Sequence, residues 1–496
     1  MYIWSTMKST RFVLTAFLLI WTRVSIAQMQ DSNWYFGVEG AGLDFNQCSP
    51  QVVQDGLPDH VTFEGATSIS DPSTGELLFY ANGWNIYNRE RQLMSNGSVG
   101  ITNSLAQIVI VPWPGTLTKY FVVMPELQGG IEWMPAHQIA YKLHYAIVDM
   151  ALDGGAGGVE SKYHILPQAT HCEFITAVRN SNQVDFWLIG HEFNSNRFFV
   201  YSVTELGIAA VPTFYPVGPF VSTPQAGTPN SSHFDAVGSM RANSRGTHLA
   251  FTTMYNAITC VVDFDPTTGV VSAPMELDID GSSYGVSFSN DGSKLYVGAR
   301  DQGTDFIHGR LLQFDLDGED QVAVQASMTS IHSYPGSGGY VTLKLGPDGG
   351  LYVAKTGTPT DEYVAVVNEP DQLGPLCGYV EDYLYVGLSG SWSLDNSIEY
   401  GHDCRTVQLE ELPSHDPCDQ VEISIANRTA QLKWGATNMF DQIELRSLDG
   451  RISHGLSIST GQREARISLA AEAVGIYMLS LRGPTCNYTQ KVLLSK

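Results

Sequence analysis

Two histidine–glutamate pairs carry the residue types best suited to chemistry in this chain. His171 and Glu173 lie near the start of one predicted strand, and His191 and Glu192 end the next. Imidazole and carboxylate groups bind metals such as zinc, and they also act as general acid and base. If both pairs faced one funnel they would form a metal or acid–base site. The alternative is that all four are polar residues packed between sheets.

Aromatic residues near predicted loops form a second set of candidates. A flat ring can stack on a sugar or hold a peptide, and tyrosine and tryptophan are common at interfaces. The candidates are Trp84, Trp113, Trp133 and Tyr334. They predict a glycan or protein ligand, with packing in the core as the alternative for each.

Signatures of two common enzyme classes are absent. The chain has no phosphate-binding glycine-rich loop that opens a helix and no His-Glu-x-x-His motif. Asp-Gly turns such as Val262–Gly269 offer hard oxygen ligands, so calcium is one interpretation of them. None fits the helix–loop–helix calcium pattern, and hairpin turns explain them better. We therefore expect no cofactor, with calcium as the alternative.

The body of the chain is strongly acidic. Residues 28–417 hold 15 basic and 44 acidic residues, a net charge of −29, within a 496-residue chain whose net charge is −24. Such a surface repels nucleic acid and anionic lipid, because both are polyanions. We expect no nucleic-acid partner, whereas cations, basic proteins and neutral glycans remain open.

A unit consisting of a tight turn followed by an apolar strand recurs along the chain. Its clearest copies are Ser289–Val297 and Gly346–Val353, and its weaker copies are Asp71–Tyr80, Asn180–Leu188 and Asn243–Phe251. A hairpin repeated over such a length is typical of a β-propeller. No amphipathic pattern is long enough for a sizeable helix. The sequence therefore predicts an all-β protein with a propeller over residues 28–412.

The spacing of the hairpins predicts the number of blades. Equivalent positions fall near Leu78, Tyr120, Phe186, Leu249, Leu295 and Leu351. A four-stranded blade takes about 40–50 residues, so each interval fits one blade, some with insertions. Pairing of Trp34–Gly37 with Tyr383–Val386 would supply a seventh blade and close the ring. Seven blades are favoured, with six or eight as alternatives.

The N-terminus has the features of an export signal. Lys8 and Arg11 lead into the apolar run Phe12–Trp21, and small residues at Ser25 and Ala27 precede Gln28. The apolar run is too short to span a bilayer, and no other segment suits a transmembrane helix. Residues 1–27 are therefore predicted to be a signal peptide. We expect the protein to pass through the periplasm and then to be secreted or attached to the cell surface.

The character of the chain changes after the predicted linker 413–417. Residues 418–496 contain short alternating strands separated by small turns, which predicts an Ig-like β-sandwich. This tail resembles the C-terminal sorting domain of type IX secretion cargo in Bacteroidetes-type bacteria. The similarity rests on Ile443–Gly450, Gly475–Leu481 and Gln490–Lys496. It implies that residues 418–496 are recognised by outer-membrane secretion machinery.

Residues 34–410 resemble the uncharacterised propellers of such secreted proteins. The matching segments include Trp34–Gly37, Leu77–Gly83 and Ser289–Val297. This resemblance implies a fold and a compartment but no reaction. Our leading hypothesis is a non-enzymatic binding propeller with an unidentified ligand. The alternatives are an extracellular hydrolase or lyase with its site in the funnel, and a structural component of the envelope or adhesion apparatus.

Overall fold

The computed structural model describes most of the chain between residues 29 and 494. The described ranges are 29–36, 40–47, 49–56, 65–100, 107–128, 140–167, 171–222, 237–254, 257–300, 308–335, 339–356, 362–387, 394–400, 421–426, 429–434, 440–447, 452–457, 462–468, 475–483 and 487–494. The predicted signal peptide, the predicted linker and Trp133 lie outside them. The chain divides into two compact units, with Ala27–Val407 in one and residues 408–496 in the other.

Successive antiparallel meanders build the first unit. The first meander has three strands, β1 (Asn33–Phe36), β2 (Ala41–Asp44) and β3 (Gln51–Gln54). The second has β4 (Ala66–Ser70), β5 (Leu77–Asn82), β6 (Asn85–Asn88) and β7 (Leu93–Ser98). The third has β8 (Val109–Pro112), β9 (Lys119–Gln128), β10 (Ala140–Asp149) and β11 (Gly158–Ile165).

Four further meanders follow along the chain. The fourth has β12 (His171–Arg179), β13 (Phe186–Glu192), β14 (Ser195–Thr204), the short β15 (Gly207–Ile208) and β16 (Thr213–Val221). The fifth has β17 (Gly238–Ala242), β18 (His248–Thr253), β19 (Thr259–Asp265) and β20 (Val270–Glu276). The sixth has β21 (Ser282–Phe288), β22 (Lys294–Arg300), β23 (His308–Asp315) and β24 (Thr329–Pro335). The seventh has β25 (Gly339–Leu345), β26 (Leu351–Thr356), β27 (Tyr363–Val367) and β28 (Tyr379–Tyr385).

The first strands of the meanders form an inner ring. Each of β1, β4, β8, β12, β17, β21 and β25 contacts the next one in this order. The last and the first meander meet through side chains, since the Lys344 ammonium lies 4.9 Å from the centre of the Trp34 ring. Meanders arranged side by side around inner strands are the architecture of a β-propeller. The predicted all-β propeller fold is confirmed at this level.

The repeated turns have the geometry that their sequences indicate. In two copies the amide of the glycine donates to the carbonyl three residues earlier, Gly292 to Ser289 at 3.0 Å and Gly349 to Gly346 at 2.8 Å. Both glycines have φ near +78°, which glycine adopts without a steric penalty. These turns join the first and second strands of their meanders. The predicted hairpin positions also lie in second strands, namely β5, β9, β13, β18, β22 and β26.

The pairing predicted to close the ring is wrong. Trp34–Phe36 belongs to β1 and pairs with β2, whereas Tyr383–Tyr385 belongs to β28 and pairs with β27. A run of aromatic residues predicts a strand but does not determine which other strand it pairs with. Here β2, which begins directly after Gly40 at φ +72°, lies beside β1. The two ends of the ring pack through a shared apolar cluster instead, which includes Trp34 and Val386.

A segment without regular secondary structure connects several inner strands. In residues 394–400, hereafter the axial segment, the Leu394 amide donates to Thr342 Oγ1 at 2.7 Å in the seventh meander. The Asn396 amide donates to the Ala66 carbonyl at 2.8 Å in the second meander. Leu394 and Asp395 are fully buried. Arg241 of β17, in the fifth meander, also donates to Asn396 Oδ1 at 3.0 Å. Because the segment bonds to inner strands of the second, fifth and seventh meanders, it lies inside the ring.

Helices are short in the described part of the chain. The single α-helix there, α1 (Gln321–Ala326), is capped by Asp320, whose carboxylate accepts from the Ala323 amide at 2.9 Å. Two 3-10 turns occupy Asp153–Gly155 and Gly374–Cys377. None of the helices described here has the length and apolar character required to cross a membrane.

The second unit contains two antiparallel sheets. One has β29 (Glu422–Ala426), β30 (Thr429–Lys433) and β33 (Glu464–Ser468); the other has β31 (Gln442–Ser447), β32 (Ile452–Ser457), β34 (Gly475–Arg482) and β35 (Asn487–Leu494). Leu432 of the first sheet and Leu445 and Leu479 of the second belong to the same buried cluster. The Ig-like classification of this unit stays a prediction.

Candidate ligand-binding cleft

The four predicted metal-binding residues lie on adjacent strands but have different surroundings. His171 at the start of β12 lies opposite Glu192 at the end of β13. Glu192 forms two hydrogen bonds with the Arg197 guanidinium, at 2.6 and 2.7 Å. His191 packs against the rings of Phe198 and Phe251, at 4.9 and 5.3 Å between centres. The alternation of side chains along β13 separates His191 from Glu192.

Burial sets the chemistry of these histidines. It lowers the pKa of both His171 and His191 to about 4, because the charged imidazolium is disfavoured away from water. Glu173 is buried as well, and its Oε1 accepts from the Gly238 amide at 2.9 Å. Within the described ranges, no group of three or more His, Cys, Asp and Glu residues is placed to hold a metal ion. The metal interpretation of these residues stays a prediction.

The structure describes three of the four predicted aromatic candidates, and each has different surroundings. Trp84 is 48% exposed in the turn between β5 and β6. Trp113 is half-buried, stacks on Phe121 at 4.7 Å and donates from Nε1 to the Glu205 carbonyl at 3.1 Å. Tyr334 is half-buried within β24. The contacts of Trp113 are those of a packing residue, and Trp84 presents its ring to solvent.

The Asp-Gly turns use their carboxylates to stabilise their own backbone. Asp265 accepts from the Thr267 amide at 2.8 Å and from the Thr268 hydroxyl at 2.7 Å. Asp149 likewise accepts from the Ala151 amide at 2.9 Å. These are the bonds expected of hairpin turns.

One serine matches a nucleophile motif without its structural context. Gly281–Gly285 has the spacing Gly-x-Ser-x-Gly. That motif requires a sharp strand-to-helix turn that exposes the serine. Ser283 instead lies within β21, is 2% exposed and donates to the Ile258 carbonyl at 3.3 Å. It is a buried strand residue.

The ends of two inner strands and the axial segment surround a cleft, hereafter the axial cleft. Its walls come from the end of β12, the end of β17 with the following turn, and residues 397–400. The cavity within it has a volume of about 90 Å³, and the empty space between the walls is about 610 Å³ when open solvent is included. Arg179, Arg241, Arg245, Glu399 and Tyr400 line it. Three arginines therefore line a single cleft in a unit whose net charge is strongly negative.

Arg179 lies between two aromatic rings. Its guanidinium carbon is 5.6 Å from the centre of the Phe186 ring and 5.8 Å from that of Tyr400. Nε and Nη1 are buried and have no hydrogen-bond partner among the described residues. Burial lowers the pKa of this guanidinium. Arginine nevertheless stays charged in proteins. The side chain thus holds a desolvated cation in place without occupying its donors.

Arg241 is more deeply buried, with 4% of its surface exposed. Its Nη2 donates to the Asp395 carbonyl at 3.2 Å and to Asn396 Oδ1 at 3.0 Å. Its Nε has no partner in the described part of the chain. The axial segment thereby fixes one side of this guanidinium and leaves a donor on the other.

Two residues of the axial segment complete the cleft. Glu399 Oε1 accepts from the Leu345 amide at 3.3 Å, while Oε2 is buried without a partner among the described residues. Burial raises the pKa of Glu399, opposed by the charges of Lys344 and Arg241. The Tyr400 hydroxyl is likewise buried and unpaired within the described ranges, and burial raises its pKa.

The other side of the axial segment is fully bonded. Lys344 Nζ lies 3.1 Å from Asp31 Oδ1 and 3.0 Å from Ser397 Oγ. Asp31 also accepts from Trp34 Nε1 at 2.8 Å. Asp395 accepts from the Ser397 amide at 2.7 Å and from the Ser68 hydroxyl. These bonds join the first, second and seventh meanders to the axis.

A tight turn positions the outer wall of the cleft. The Gly246 amide donates to the Asn243 carbonyl at 2.8 Å, and Gly246 has φ +66°. A Cβ at this position would lie 2.5 Å from Val178 Cγ1. Glycine therefore lets the turn rest on β12, which places Arg245 at the edge of the cleft.

Sequence reasoning missed the residues of the cleft. The available signal was an arginine inside an apolar inner strand, as in Ala177-Val-Arg179 and Met240-Arg-Ala242. A charged residue at such a position is unusual unless it has a partner or a function. Glu399 and Tyr400 carried no such signal, since the axial segment has no strand pattern.

Comparisons with known proteins do not assign an activity to this chain. No protein-family model matches the sequence, and no curated protein does. A periplasmic gluconolactonase from Pseudomonas aeruginosa is similar at 12% identity, with 88% of this chain and 99% of that chain covered and a TM-score of 0.40. A putative 6-phosphogluconolactonase from Bacteroides fragilis is similar at 11% identity, with 74% and 98% covered and a TM-score of 0.42. Similarities at this level leave the cleft to be interpreted from its own geometry.

Proposed function

We propose that this chain is an exported β-propeller that binds a small polar ligand in the axial cleft. One observation carries the proposal. Four side chains from three separate parts of the chain line one cleft and carry buried polar atoms that are unpaired among the described residues: Arg179, Arg241, Glu399 and Tyr400. Leaving a buried donor or acceptor unpaired costs about 1–3 kcal/mol. A group of such atoms in a cleft is expected where a ligand completes the bonds.

The export part of the proposal rests on the termini. Residues 1–27 supply the signal peptide, and residues 418–496 supply an Ig-like sorting domain for the type IX machinery. In this proposal the meanders of the first unit are the blades of a seven-bladed propeller released or displayed outside the cell. Deletion of residues 418–496 should leave the protein in the periplasm. Normal release of the truncated protein would exclude the sorting role.

A second candidate is a hydrolase that uses the same cleft. Glu399 favours it, because a carboxyl group with a raised pKa beside arginines is suited to proton transfer. The two functions differ in what happens to a bound ligand. A hydrolase converts it at a rate that falls in Glu399→Gln, whereas a binding propeller returns it unchanged.

The test is a ligand screen on the purified full chain. Thermal-shift measurements with sugars, organic acids, amino acids and short peptides should identify compounds that raise the melting temperature of the wild type. The shift should disappear in Arg179→Met and persist in Arg466→Met, an exposed arginine of the second unit. A structural envelope component predicts no ligand that depends on Arg179, and that outcome would overturn the proposal.

A further inference from the structure

The axial cleft has the features of a site for one carboxylate. We infer that the ligand carries a carboxylate held by Arg179 and Arg241, with a hydrogen-bond donor beside it that Glu399 accepts. This inference rests on the proposed function and names the chemical class of its ligand. Four features of the structure support it. They are the pairing of other buried cations, the unpaired donors of the arginines, the local charge, and the unpaired acceptor of Glu399.

Two other buried cations of the first unit, Lys344 and Lys355, are paired with carboxylates. Lys344 lies 3.1 Å from Asp31, and Lys355 lies 3.0 Å from Asp382. Carboxylates are abundant in residues 28–417, which hold 44 of them. Arg179 nevertheless forms no ion pair with any described residue, although most of its surface is shielded from water. Buried charges are normally paired, so an external anion is the expected partner.

The free donors have the form that a carboxylate needs. Nε and Nη1 of Arg179 are both unpaired among the described residues, and so is Nε of Arg241, which lines the same cleft. A guanidinium edge forms two parallel hydrogen bonds with a carboxylate, which adds geometric specificity to charge attraction. The rings of Phe186 and Tyr400 hold the Arg179 plane in position, so little freedom is lost when the ligand binds.

The local charge favours a monoanion. Among the buried groups of the cleft, Arg179 and Arg241 contribute two positive charges, and an ionised Glu399 removes one. Arg245 at the edge of the cleft is exposed, so solvent and salt screen its charge. A bound carboxylate would make the buried groups together neutral, whereas a dianionic phosphate would leave an excess negative charge in a buried place. Such an excess is costly in a low-dielectric site. The charges of Asp395 and Asp31 also act on Arg241 and add to the negative charge near the cleft.

The remaining acceptor specifies a second group on the ligand. Glu399 lines the same cleft, and its Oε2 is buried and unpaired among the described residues. A carboxylate oxygen of the ligand would be repelled there, whereas a hydroxyl or ammonium group would donate to it. The predicted ligand is therefore a hydroxy or amino carboxylate. A free small acid and the C-terminus of a peptide share the relevant chemistry.

Matched probes on the full chain test this inference by calorimetric titration. Propionate should bind and propionamide should not, because the amide has the same shape without the charge. Lactate should bind more tightly than propionate, and Glu399→Gln should remove that difference. A short peptide with a free C-terminus, compared with its C-terminal amide, separates the two sources of the carboxylate. Inorganic phosphate is the control for a general anion site.

Variants connect the binding to the cleft. Arg179→Met should weaken lactate binding by about tenfold or more, equivalent to a loss of about 1.4 kcal/mol. Arg179→Lys should give an intermediate affinity because it keeps the charge but not the fork. Arg466→Met should bind as the wild type does, and circular dichroism identifies any variant that fails to fold. If Arg241→Lys folds, it should weaken binding in the same direction.

Three outcomes would overturn the inference, and they differ from failure of the proposed function. Equal binding of propionate and propionamide, tighter binding of phosphate than of lactate, or lactate binding unchanged in Arg179→Met would each contradict it. If neutral compounds from the ligand screen bind in an Arg179-dependent way and carboxylates do not, the cleft is a binding site of another class. If no compound depends on Arg179, both proposals fail.

Discussion

The two sides of the axial segment differ in how completely their polar groups are bonded. On one side, Asp31, Lys344 and Ser397 form a closed set of short contacts that joins the first and last meanders. On the other side, Arg179 and Glu399 keep buried atoms unpaired among the residues that the structure describes. The same segment thus closes the ring and forms a wall of the cleft. We infer that completed bonds provide stability and incomplete bonds provide recognition.

The largest expected effect concerns the closed side. Asp31→Asn leaves the buried Lys344 ammonium without its ion-pair partner, which should lower the free energy of unfolding by about 3 kcal/mol or more. Urea unfolding followed by tryptophan fluorescence measures this change. Arg466→Met is the control and should unfold as the wild type does. A loss no greater than that of the control would show that the ion pair does not close the ring.

The next effect is a dependence of stability on pH. Burial raises the pKa of Asp395 to about 6 from its ordinary value of 3.8. The folded state therefore binds a proton more readily than the unfolded state, so this group's stabilising contribution is present below pH 3.8 and is lost as the pH rises towards about 6. Two pKa units correspond to about 3 kcal/mol.

Melting curves of the wild type and Asp395→Asn across this pH range measure that contribution. The substitution keeps the shape of the side chain and removes the titration. Other groups titrate in both proteins, so the difference between the two curves isolates Asp395. The wild type should lose stability relative to Asp395→Asn as the pH rises. Parallel curves would contradict the assignment.

A smaller effect is expected at the turn that forms the outer wall of the cleft. Gly246→Ala places a Cβ 2.5 Å from Val178 Cγ1, in addition to the strain of a positive φ. Gly154→Ala is the matched control, since Gly154 has φ +65° and no heavy atom within 4 Å. Gly246→Ala should therefore be the less stable of the two by about 1–3 kcal/mol, from overpacking. Equal melting temperatures would show that the turn does not rest on β12.

The smallest expected change in stability concerns the open side. Arg179→Met removes a cation whose buried donors lack partners, so the free energy of unfolding should stay within about 1 kcal/mol of the wild type or rise. Ligand binding should be lost at the same time. Urea unfolding without ligand measures the first part. A loss comparable to that of Asp31→Asn would mean that Arg179 is a structural residue.

Local signals in the sequence predicted much of the propeller. Turns such as Ser289–Gly292 could be predicted because a glycine in the left-handed conformation leaves a short, recognisable pattern. The strand that pairs with Trp34–Phe36 could not be predicted, since the edge of any apolar strand satisfies the same pattern. The choice of partner depends on how the chain returns, and here β2 follows directly and pairs with β1.

The cleft could not be predicted from spacing for a similar reason. Arg179, Arg241 and Glu399 meet only because the inner strands and the axial segment converge. The histidine–glutamate pairs were noticed because they are close in sequence. Within β13, however, alternation places His191 among aromatic rings and Glu192 beside Arg197. Proximity along a strand is therefore a poor guide to a shared site.

The most direct test of the account compares Asp31→Asn and Arg179→Met in the same two assays. The free energy of unfolding and the affinity for lactate are measured for each variant of the full chain. We predict that Asp31→Asn loses stability and keeps its affinity at a temperature where it is folded, whereas Arg179→Met keeps its stability and loses its affinity. If both variants lose both properties to the same extent, the two sides of the axial segment do not have separate roles.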